Sequence, residues 1–87
     1  MFALYGARPS PAVGVLQIAF ALPDNQPARV ELLDVAGRRV LSREVGSLGP
    51  GRHMVTLQGR TTLRSGIYLV RLTRAGRSLT TAVSVLR

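Results

Sequence analysis

Val30-Glu31-Leu32-Leu33-Asp34-Val35-Ala36-Gly37-Arg38-Arg39-Val40-Leu41 reads as two strands folded back on one another, and this reading decides the fold. Starting two residues earlier, Ala28, Val30 and Leu32 alternate with Arg29, Glu31 and Leu33. That period of two turns one set of side chains inward. Asp34 to Gly37 then has the composition of a type I turn closing into a bulge. Aspartate at the first position accepts from backbone N–H groups ahead of it, and glycine at the last takes a positive φ without a Cβ clash. The return strand runs from Arg38 to about Val45. Nothing in the stretch suggests catalysis.

The same design recurs on both sides. Val15 to Leu22 places Leu16, Ile18, Phe20 and Leu22 on one face, and Pro23-Asp24-Asn25-Gln26-Pro27 ends it with turn residues throughout. Gly46, Gly49, Pro50 and Gly51 break the chain after the central hairpin. Arg52 to Leu57 is a further strand with His53, Val55 and Leu57 on one face. Gln58 to Ser65 reads as a polar loop with Leu63 tucked in. Gly66-Ile67-Tyr68-Leu69-Val70-Arg71-Leu72 is apolar on both faces except at Arg71, the mark of a strand near the middle of a sheet. A tight turn at Arg74-Ala75-Gly76-Arg77 leads into Leu79, Thr81, Val83 and Val85, which alternate toward Arg87. Residues 1–7 are either a first edge strand or the end of a linker. With Pro9-Ser10-Pro11 restricting the chain next, the division expected is 1–8 as linker or upstream end and 9–87 as domain.

Six or seven short strands without a helical stripe indicate an all-β protein, an antiparallel immunoglobulin-like sandwich. A small barrel uses the same alternation and stays open as the alternative. The expected core is Ile18, Phe20, Val30, Leu32, Val40, Val55, Tyr68, Val70, Leu72, Val83 and Val85, each on the apolar face of its run.

Composition narrows function by exclusion. The 87 residues make one small domain, and a hydrophobic content of 46% is enough for a core. There is no cysteine, which removes disulfides and thiolate chemistry. The formal charge is +8, with twelve arginines, no lysine, and Asp24, Glu31, Asp34 and Glu44 as the acids. The all-arginine usage is attributed to a GC-rich coding bias. The arginines are scattered from Arg8 to Arg87 with a single adjacent pair, Arg38-Arg39. They are expected to solvate strand faces and blunt sheet edges rather than bind nucleic acid. The N-terminus has neither the basic region nor the apolar core of a signal peptide, and no apolar run approaches the ~20 residues of a membrane helix.

His53 is the one histidine, too few for a triad or a zinc site with only four acids in the chain. Its place beside Val55 on a strand face suits a packing role. Asp24 and Asp34 sit in turns, where aspartate is expected for backbone bonding. They are short of the about six to eight oxygens that calcium takes. No phosphate-binding loop is present, and Tyr68 beside Val70 and Leu72 suits the core. The chain is therefore read as a non-enzyme without metal or cofactor.

Pro9-Ser10-Pro11, Ile18-Ala19-Phe20-Ala21-Leu22-Pro23 and Leu32-Leu33-Asp34-Val35-Ala36-Gly37-Arg38-Arg39-Val40 together carry a resemblance. Leu48, Gly51-Arg52-His53 and Ser65-Gly66-Ile67-Tyr68-Leu69-Val70-Arg71-Leu72 continue it in the same order. The chain resembles, over about residues 8–87, the C-terminal sorting domain of the type IX secretion system. It is also similar to the overlapping Ig-like domain of the flagellar hook-capping protein. The resemblance implies a β-sandwich at the end of a larger exported protein, secreted or held at the cell surface. Its implied partners are an outer-membrane translocon and an upstream cargo domain. Matched residue by residue, the sorting-motif candidates are Asp34, Gly37, Arg38, Gly66, Tyr68, Arg71 and, in the terminal segment, Arg87.

The chain departs from the family pattern at Leu57-Gln58-Gly59, where an aromatic-acidic-glycine turn is common. It also lacks the lysines often found in the tail, where Arg77 and Arg87 keep some positive charge. Phe2 to Gly6 reads like the end of something longer. The arginines at 38 and 71 belong to the motifs, and a sandwich alone is not expected to require either. The alternative function is a structural Ig-like interaction domain of a surface or flagellar-hook assembly protein.

Overall fold

A computed structural model describes residues 1–8, 10–13, 15–57 and 63–86. Its strands are β1 (Ala3–Ala7), β2 (Ala12–Val13), β3 (Leu16–Leu22), β4 (Ala28–Leu33), β5 (Arg39–Glu44), β6 (Gly51–Leu57), β7 (Gly66–Arg74) and β8 (Arg77–Leu86). A single 3-10 turn, Gly46–Leu48, is the one helical element among the described residues. One sheet has the order β1-β3-β6 and the other β2-β8-β7-β4-β5. This is the immunoglobulin arrangement, in which the first strand divides between sheets and the longer sheet gains an added edge strand.

Eight strands form where six or seven were expected. The extra one is β2, a two-residue pairing of Ala12 and Val13 with Val85 and Leu86. It runs parallel to β8, so the longer sheet is not purely antiparallel. A two-residue bridge between prolines and a glycine has no period to read. Residues 3–7 form the edge strand β1, paired with β3.

Alternation explains the core. Leu16, Ile18, Phe20 and Leu22 of β3, with Val55 and Leu57 of β6, face Val30, Leu32, Val70, Leu72, Val83 and Val85 of the other sheet. β7 lies between β4 and β8, as its two-faced apolar sequence indicates. Tyr68 and Leu63 pack half-buried against this core. The polar loop expected over Gln58–Ser65 falls mostly on residues 58–62, outside the described residues.

Val40 is a correction, since it is 40% exposed. The register pairs Leu33 with Arg39 but Leu32 with Leu41, leaving Val40 as the extra residue of a bulge. The inward alternation therefore slips by one, and Leu41 packs against the core in its place.

Candidate functional site

The hairpin of Asp34 to Arg38 closes through Gly37 N–H to Asp34 O at 2.9 Å and Asp34 N–H to Arg38 O at 2.9 Å. Asp34 Oδ1 accepts from Ala36 N–H at 3.0 Å and Arg38 N–H at 2.9 Å, while Oδ2 accepts from Arg38 Nε at 3.0 Å. Gly37 has φ +84°, the left-handed value that the turn requires. The backbone N–H of Arg38, followed by its guanidinium, holds the Asp34 carboxyl below its ordinary range against a smaller opposing effect of desolvation. Asp34, Gly37 and Arg38 thus form one hydrogen-bonded unit.

Register places this turn beside the start of β7 and the end of β8. Leu33 pairs with Leu69, so the chain beyond Leu33 runs out next to Tyr68 and Gly66, and Gly66 pairs with Val85. Asp34, Gly37, Arg38, Gly66 and Tyr68 therefore share one end of the longer sheet. Arg71 stands apart, opposite Glu31 in the middle of β7. Arg87 lies outside the described residues.

Tyr68 has an evident structural role. Its hydroxyl donates to Arg64 O at 2.8 Å, four residues upstream, while its ring packs on the core. A tyrosine near the start of this strand, bonded back to the preceding corner, is a recurrent device of immunoglobulin-like domains.

Arg71 also serves the fold, contrary to the expectation that the sandwich needs no arginine there. Glu31 is the one buried charged residue among the described residues, at 7% exposure. Arg71 Nε donates to Glu31 Oε1 at 3.1 Å with Nη2 at 3.0 Å, and Arg39 Nη1 lies 3.5 Å from Oε2. A carboxylate in that position needs such partners, because burying it alone costs several kcal/mol on the order of a lost ion pair.

Beside this end, the outer face of the longer sheet is apolar. The rung of Leu33, Leu69 and Ala82 is flanked by Val40 on β5 and continued by Ile67 on β7 and by Val13 with Leu86 at the β2–β8 edge. Ile67 is 52% exposed and Val13 64%. Sequence reading missed this band. Strict alternation assigns Ile67 and Leu69 to the second face of a central strand, and only the lack of a covering layer among the described residues leaves Ile67 exposed and Leu69 half-buried.

Several of the remaining polar side chains bond locally, whereas the buried Tyr5 hydroxyl has no hydrogen-bond partner among the described residues. Asp24 bonds Arg74 through both carboxylate oxygens, which lowers the aspartate's pKa and raises the arginine's. Glu44 accepts from the backbone N–H groups of Ala28 and Ser47. The Arg52 and Arg77 guanidiniums lie over the rings of Tyr5 and Phe2, at 5.4 and 5.7 Å from the centroids. His53 Nε2 donates to Gly49 O at 2.7 Å and its ring lies 5.6 Å from that of Phe20, a packed position. No group of three or more histidines, cysteines or acids capable of holding a metal occurs among the described residues. No helix among them is long and apolar enough to cross a membrane.

No curated protein matches the chain. The family described as the secretion system C-terminal sorting domain matches residues 7–85. The match runs from the last residue of β1 into β8 and takes in both sheets and the turn end. Domains of this family are non-catalytic tails of proteins that are exported to the cell surface or secreted. With nearly the whole sandwich covered, the chain belongs to the family of type IX secretion C-terminal sorting domains.

Proposed function

We propose that this domain directs an attached cargo through the outer membrane by presenting the turn end of its longer sheet to the type IX translocon. The observation that carries the reading is the exposed apolar band of Val13, Val40, Ile67 and Leu86 beside the Asp34–Arg38 turn, in a chain of the sorting family. Exposed apolar surface next to charged groups is the composition of a protein-binding patch. Arg38 supports it further, with a side chain 84% exposed although it is tied to Asp34. Tyr68 and Arg71 act in this reading by holding the fold, and Asp34 and Gly37 by shaping the turn.

The full chain fused to the C-terminus of a periplasm-directed reporter should place that reporter outside a type IX-competent cell. Ile67→Asp and Arg38→Ala should each leave the fusion folded and reduce export. Tyr68→Phe should lower stability by about 1 kcal/mol, the worth of one hydrogen bond, with export of the folded fraction unchanged. A fusion that remains folded, intact and periplasmic would favour the structural Ig-like domain instead. Export undiminished in both surface variants would keep the sorting role and remove the turn end as its site.

A further inference from the structure

The three-stranded sheet is one strand short of the four-stranded sheet of an immunoglobulin domain. In that plan a fourth strand pairs with the outer side of the strand that β6 represents. Here the 3-10 turn Gly46–Leu48, Gly49 and Pro50 occupy the connection from β5 to β6, and β3 is the only neighbour of β6 in its sheet among the described residues.

The other sheet edges are interrupted. β1 has a register shift between Leu4 and Gly6, β2 has two residues, and β5 carries the bulge at Val40 together with Arg39, Arg43 and Glu44. β6 pairs with β3 without a shift from Leu16–Leu57 to Leu22–Gly51. It contains no proline and one formal charge, Arg52. A long, regular, nearly uncharged edge is the kind that accepts another strand.

The direction of the free backbone groups follows from one contact. Arg43 Nη1, from the edge of the opposite sheet, donates to Thr56 O at 3.2 Å. The Thr56 carbonyl therefore points away from β3. Backbone groups alternate along an antiparallel strand, so those of Arg52 and Met54 point the same way. The Arg43 side chain closes one end of this edge and, among the described residues, leaves the two rungs at Arg52 and Met54 open.

Charge then selects the occupant. None of the four acids lies on β1, β3 or β6; Asp24 is in the β3–β4 loop, Glu31 on β4, Asp34 in the hairpin turn and Glu44 on β5. On the outer face of the short sheet, Arg8 and Arg52 flank a groove of about 490 Å³ lined also by Tyr5, Ala19 and Met54. A second copy of a chain with net charge +8 would bring like charges together.

We propose that the free edge of β6 accepts an extended acidic segment of another protein as a fourth strand. Its N–H and C=O groups pair with those of Arg52 and Met54, and its acidic side chains, at alternate positions, lie on the face that carries Arg52.

The test uses the full chain and synthetic peptides of about ten residues, one alternating glutamate with valine and one alternating lysine with valine. Fluorescence anisotropy should show the glutamate peptide binding at least about tenfold more tightly. Amide exchange should slow at Arg52 and Met54 when it binds. Met54→Pro removes an outward N–H without breaking a bond to β3, and should abolish binding. Should that variant fail to fold, Arg52→Glu serves instead, and should weaken the glutamate peptide while admitting the lysine one. Equal binding of the two peptides, no binding, or protection confined to β1 or β5 would overturn the proposal. So would a dimer through β6 in sedimentation without peptide, since a second copy would then be the occupant.

Discussion

A Cβ placed on Gly37 meets nothing within 4 Å, yet its φ of +84° is one that L side chains rarely adopt. Gly46 is the reverse case: a Cβ there would strike the Gln26 carbonyl oxygen and come within 2.8 Å of Ala28 N. Gly37→Val should therefore cost roughly 1–3 kcal/mol through backbone strain, and Gly37→Asn much less. Gly46→Ala should cost as much or more through collision, although alanine suits its conformation. Chemical denaturation of the three variants separates the mechanisms, and an unaltered Gly46→Ala midpoint would show that the β3–β4 loop or the β5–β6 connection yields. Gly37 was legible in sequence because Asp-x-x-Gly between alternating runs is a local signal. Gly46 was legible only as a chain break, since its role depends on backbone about twenty residues earlier.

At the level of elements, β3 and β4 could be read from alternation because each buries one complete face, and β7 and β8 because their buried residues, Val70, Leu72, Val83 and Val85, keep the same period. Two features could not be read this way. Val40 alternates correctly in sequence and is exposed because the bulge changes which face it belongs to. The Glu31–Arg71 pair joins residues forty positions apart, and pairing order across strands is not encoded locally. That pair gives a specific expectation. Arg71→Ala leaves the Glu31 carboxylate buried with only Arg39 near, and should cost about 1–3 kcal/mol. Replacing both residues with valine should recover most of that loss, because apolar neighbours need no counterion. A double-mutant cycle by urea titration measures the coupling. Additive losses would mean that Glu31 remains solvated in the single variant.

For the whole molecule, the pH dependence follows from Asp24 and Asp34. Arg74 holds the Asp24 carboxyl below the ordinary 3.8, and the N–H and guanidinium of Arg38 do the same for Asp34. A depressed folded pKa contributes stability above the ordinary value, and that contribution is lost as pH falls through the folded one. The melting temperature should stay level from about pH 7 to about pH 5 and drop below about pH 4. Asp24→Asn should reduce the drop. An acid limb unchanged by that substitution would place the sensitivity elsewhere. The pairing of β2 with β8 has a mechanical consequence. Two parallel strands, one from each end of the chain, slide past one another when the ends are pulled apart. Tension between an attached cargo and the β8 end would load both rungs of that bridge together, in shear, instead of peeling them singly. A two-residue contact that adds little to equilibrium stability can thus act as a clasp under force.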